Sequence, residues 1–115
     1  MERNLWPPAH PDRGYDEAVL AVEAAAIPVV SPQDSRPTLG KVIAHLKPTA
    51  ANWQLAGGGA IDAVLGLMDQ LWTDQPRHAL PGEPARYVDQ AQAEAAVHAA
   101  AYLVHLFSRG LISRR

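Results

Sequence analysis

The chain contains no cysteine, which excludes a disulfide, a thiolate metal site and a cysteine nucleophile together. Serine is scarce as well. Ser31, Ser35, Ser108 and Ser113 are the four present, and none stands in the GxSxG setting that exposes a nucleophilic serine on a strand-to-helix turn. Aromatic residues are few, with three tryptophans, three tyrosines and one phenylalanine, so alanine must fill much of any helical contact and helices must approach closely. No excess of either charge is present. Ten basic and twelve acidic residues give a formal charge of -2, without the positive balance that draws a protein to a phosphate backbone, and no nucleic-acid partner is expected.

Long apolar runs are missing too. The alanine-rich stretch from Ala91 to Phe107 is broken by Glu94, His98 and His105, so no membrane span is expected. The first fourteen residues mix charges with Pro7, Pro8 and Pro11, whereas an export signal needs a basic start followed by a continuous apolar stretch. The expected location is cytoplasmic, and a cysteine-free chain is compatible with a reducing compartment. Arginine outnumbers lysine eight to two, and alanine and proline are abundant, a composition that points to a GC-rich bacterial genome.

What is present reads as helix. At 115 residues the chain suits one core, and the pattern predicts an all-α compact bundle of four to five helices. The expected organisation is a proline-rich N-terminal arm over 1–14 and a single helical domain over 15–115. Helices are expected near 16–26, 38–47, 60–72 and 84–109. Tyr15, Val19, Val22 and Ala26 recur at helical spacing, and Pro28 is expected to stop that helix, leaving Ile27 to Val30 extended. Leu39, Val42, Ile43 and Leu46 form the clearest amphipathic stripe, with Ser35 or Thr38 as its cap. Ile61, Val64, Leu65, Met68 and Leu71 form the next. Between these two, Thr49 to Ala56 is expected to make a short helix carrying Trp53, and Gly57, Gly58 and Gly59 a corner.

The last helix is the longest, approaching 40 Å at about 1.5 Å per residue. Ala93, Val97, Ala100, Val104, Phe107 and Leu111 step along it by three or four, a seam that calls for a partner helix. Gly110 is placed for a left-handed cap.

Two faces of that helix carry the functional candidates. On one, Val97, Val104 and Phe107 offer apolar knobs, and Trp6 in the arm offers an anchor of the kind that dominates protein contacts. On the other, Glu94, His98, Tyr102 and His105 follow one another at helical spacing, with Arg109 one turn on. Imidazoles and a carboxylate suit metal ligation or proton transfer, but the seven residues between His98 and His105 span about 10.5 Å, too far for one ion without further ligands. No HExxH and no paired ExxH motif is present, so no metal, cofactor or catalytic residue is assigned. The glycines before the third helix lack the lysine and hydroxyl of a phosphate loop. The expected function is therefore a non-catalytic helical protein-protein interaction or assembly protein, with the balance against an enzyme left open by the histidine face. Its partner would be a second copy of the chain, as a homodimer, or another protein chain. The alternative is a small-molecule or metal-binding helical protein, with enzymes included, using the Glu94, His98, Tyr102 and His105 face.

Overall fold

The structure is a computed structural model that describes residues 10–75 and 88–115. Trp6, and the stretch 84–87 expected to open the last helix, lie outside the described residues. Within them the protein is mostly helical, with α1 (Pro11–Val30), α2 (Leu39–Leu46), α3 (Asp62–Thr73) and α4 (Gln90–Ser108). A 3-10 helix (Lys47–Asn52) follows α2, and strands β1 (Trp53–Leu55) and β2 (Ile112–Arg114) pair into a small antiparallel sheet.

Helix α1 begins five residues earlier than expected because Pro11 sits at its first position, where the missing N–H costs nothing and the fixed φ suits the helix. Residues 11–14 are therefore helix rather than arm, and Gly14 and Tyr15 are buried. The helix also runs through Pro28 to Val30. A proline this close to the end forfeits one backbone bond, to the Ala24 carbonyl, while two more residues of helix carry the buried stripe of Val22 and Ala26 on to Val30. Ser31 closes it, with its N–H donating to the Ile27 carbonyl at 2.8 Å.

Thr38 caps α2 as expected, its Oγ1 accepting from the Lys41 N–H at 3.2 Å. A second first-turn amide is met from across the fold. The Leu39 N–H donates to Glu23 Oε2 at 2.7 Å, which accounts for a carboxylate only 8% exposed on the core face of α1; a helix start favours a negative charge there. Helices α2 and α3 approach closely at Gly40, where a Cβ would fall 2.7 Å from the Trp72 ring. Glycine is required at that spot by contact, not by backbone conformation.

After α2 the short helix expected over 49–56 is met only in its first half, by the 3-10 helix that ends at Asn52, and Trp53 is not on it. Thr49 leaves helical geometry at φ -114° and ψ 17°, and Trp53 to Leu55 extends as β1, paired with β2 in the register Trp53 to Arg114, Gln54 to Ser113 and Leu55 to Ile112. Gly57 and Gly58 turn the chain at φ of +91° and +92°, a region that suits glycine alone among common residues, so the expected corner is there. The last three residues are part of the fold. The Arg115 N–H donates to the Asn52 carbonyl and the Ala56 N–H to the Leu111 carbonyl, both at 2.8 Å.

Helix α4 starts at Gln90 rather than in the eighties. Asp89 holds a capping box, accepting from the Gln92 N–H at 2.8 Å while Gln92 Oε1 accepts from the Asp89 N–H at 2.9 Å; satisfying two orphan amides reciprocally fixes a helix start. At the other end Gly110 is left-handed at φ +67°. Its N–H reaches the Phe107 carbonyl and the Leu111 N–H reaches the Leu106 carbonyl, the pair of bonds that makes a Schellman closure.

Helix α1 makes its most extensive contact with α4, and the two run in the same direction. Asp12 near the start of α1 accepts from the Val88 N–H just before α4, and the end of α1 shares a cleft with Arg114 just after α4. Between them Val19, Val22, Ala93 and Leu103 are fully excluded from solvent. The core-facing line of α4 is Ala93, Ala96, Ala100, Leu103 and Phe107, with Leu106 beside it. Val97 and Val104, both on the expected seam, sit half-buried on its flank.

Candidate functional site

The first two turns of α1 form a polar clamp that the sequence pattern does not announce. Asp12 and Asp16 are four apart, so they share a face, and they reach to Gln75 just after α3 and to Val88 just before the cap of α4. Asp16 Oδ1 accepts from Gln75 Nε2 at 2.9 Å, and Asp12 Oδ1 accepts from the Val88 N–H at 3.1 Å. Gln75 is fully buried, and its Oε1 meets no hydrogen-bond donor among the described residues. Between the clamp, the end of α3 and the start of α4 lies a cleft of about 680 Å³, with Tyr15, Gln70, Asp74 and Gln92 in its walls. The Tyr15 hydroxyl donates to the Leu71 carbonyl at 2.7 Å.

Burial pushes the Tyr15 phenol from 10.0 up to about 12, and the nearby charge of Asp74 adds to the shift. The neutral form is the one the fold favours, so its contribution to stability is complete below pH 10 and is lost as pH rises from 10 through about 12. Urea unfolding across that window is expected to show stability falling more steeply in the native chain than in Tyr15→Phe. Equal slopes would mean that Tyr15 ionises as freely in the folded protein as in the unfolded one.

The polar stripe on α4 stays a stripe. His98, Tyr102, His105 and Arg109 are exposed and Glu94 is half-buried, and none of them lines this cleft, the groove described below or the cleft at the end of α1. Among the described residues no group of three or more histidine, aspartate or glutamate side chains is placed to hold a metal ion. His45 is exposed on α2, apart from the stripe in sequence, and its carbonyl accepts from Thr49 Oγ1 at 2.8 Å.

The apolar candidates fare differently from one another. Phe107 is only 2% exposed and packs inward, which removes it from any contact surface. Val97 and Val104 instead line a groove of about 320 Å³ between α1 and α4, floored by Ala18, Ala21, Ala100 and Ala101. The groove exists because both walls carry small residues, so the helices leave a furrow beside their buried contact. Its ionic wall residue is Glu17, which pairs with Arg13 at 3.6 Å along the solvent side of α1. Among the described residues, the two large apolar side chains with the greatest exposure stand one residue along from this floor on each wall, Leu20 at 54% and Tyr102 at 50%. Sequence spacing alone misses α1 as the second wall.

Among the described residues no helix is long and apolar enough to cross a membrane. No protein-family model matches the chain, and comparison with curated proteins and with solved structures finds no match.

Proposed function

We propose that this chain is a non-catalytic helical interaction protein that self-associates as a homodimer across the α1 and α4 groove. The observation that carries the reading is the groove itself, an apolar furrow with an alanine floor and Val97 and Val104 on its side. Alanines let a second helix backbone approach closely, and the valines supply side chains for it to pack on. A second copy of the chain is the occupant that fits, because the same two helices supply both halves of the contact. Leu20 and Tyr102 project beside the floor, and in a two-fold pair the knobs of each protomer can enter the furrow of the other, which closes the assembly at two.

Light scattering at micromolar concentration tests this. The expected result is a mass twice the 12.4 kDa of one chain, reverting to one chain in Val104→Glu, where a charge is placed in the apolar contact. A mass of one chain, unchanged by concentration and by the substitution, would overturn the reading.

A further inference from the structure

The exposed side of α4 reads alike in both directions from Ala101. Val97 and His98 stand four and three residues before it, and Val104 and His105 three and four after. One turn farther out stand Glu94, seven before, and Arg109, eight after. Spacings of three, four, seven and eight keep these positions on one side of a helix, with Ala101 along its middle. Ala101, His98, His105 and Arg109 are exposed, and Val97, Val104 and Glu94 are half-buried. That side divides lengthwise. Val97 and Val104 form the flank that lines the groove toward α1, while the two histidines, Glu94 and Arg109 form the other. The charges at the two ends of this second flank are opposite, and neither Glu94 nor Arg109 has an ion-pair partner among the described residues.

Such a surface is complementary to a reversed copy of itself. A two-fold axis that pairs α4 antiparallel at Ala101 brings valine flank onto valine flank, with Val97 level with the partner's Val104. The same operation sets Glu94 level with the partner's Arg109, twice in the pair, and opposite charges across a contact fix its orientation and register. The small side chain of Ala101 lets the two backbones approach at the crossing, and each helix start, with its positive dipole end, lies toward the negative end of the other. A parallel pair, whose axis runs along the helices, does none of this. It brings the valine flank of one protomer to the histidine flank of the other and puts Glu94 level with its own copy.

We propose that the homodimer is antiparallel, with α4 crossing its own copy at Ala101 and the flank of Glu94, His98, His105 and Arg109 forming the polar edge of the interface. This orientation rests on the self-association proposed above and gives the polar stripe its role.

Sedimentation equilibrium of the full chain tests it by charge exchange. Glu94→Arg and Arg109→Glu are each expected to weaken the dimer by about tenfold, because each turns two attractive pairs into two repulsive ones. The two substitutions together should return it to within about threefold of the native chain. Positions 94 and 109 lie about 22 Å apart along one helix, so such a rescue comes from the partner. The absence of native cysteine also lets single cysteines report the pairing. Ala101→Cys is expected to give a disulfide-linked dimer on oxidation; Glu94→Cys and Arg109→Cys are expected to link when mixed and not when alone. A native dimer in which the double exchange is no tighter than the single ones, or in which Glu94→Cys links to itself, would overturn the antiparallel arrangement and leave self-association standing. A native chain with the mass of one chain at every concentration would overturn both.

Discussion

Leu103→Ala is expected to destabilise the protein by about 2–5 kcal/mol, whereas Val104→Ala, its neighbour in the chain, should cost about 1 kcal/mol or less. Leu103 is 0% exposed and lies on the line of α4 that meets α1. Removing three carbons there loses their burial and leaves a cavity that rigid neighbours cannot close. Val104 is half-buried at the edge of the groove, so water or a partner can occupy the space it leaves. Urea unfolding of both variants at a dilution where the chain is a single species gives the comparison. Equal losses would place the buried line of α4 one residue away from where the fold puts it.

That contrast also shows where sequence pattern runs out. On α4 the alanines at 93, 95, 96, 99, 100 and 101 are compatible with several helical phases, and one residue of phase turns a helix by about 100°. Choosing Val97 and Val104 as knobs selects a line beside the true one, which Leu103, Leu106 and Phe107 fix by their bulk. Helix α2 has no such freedom. Its leucines, valine and isoleucine admit one phase, and all four of its expected core positions are buried. Thr38 and Gly110 were readable for the same kind of reason, since a cap hydroxyl and a left-handed glycine act within a few residues of themselves.

The features that escaped are those made by residues far apart in the chain. Glu23 falls on the buried period of α1, where a carboxylate looks misplaced until the Leu39 N–H, sixteen residues on, is seen to donate to it. Asp12 and Asp16 look like ordinary first-turn acids, yet their partners are Val88 and Gln75. The groove has half its wall on α1 and half on α4, so neither helix alone shows it. Ser31 and Arg114, in turn, share a cleft only because β2 folds back beside the end of α1.

The strand pair is the most extreme case, because three residues are too few to display alternation and its two halves are separated by α3 and α4. Its anchor is Trp53, 2% exposed at the start of β1. Trp53→Ala is expected to cost about 3–5 kcal/mol, the range for deleting a buried tryptophan. It should also release the C-terminal strand, because the indole is the surface on which Arg114 rests and β1 is the only strand paired with β2 among the described residues. Arg114→Ala removes the stacked cation but leaves the indole buried by the core, and an exposed cation–π contact contributes about 0.5–1 kcal/mol. Amide hydrogen exchange separates the two. In Trp53→Ala the amides of β2 and of Ala56, which bonds the Leu111 carbonyl, should lose protection together, while in Arg114→Ala they should keep most of it. Equal loss of stability and protection in both variants would mean that the tail is held by the guanidinium, not by burial of the ring beneath it.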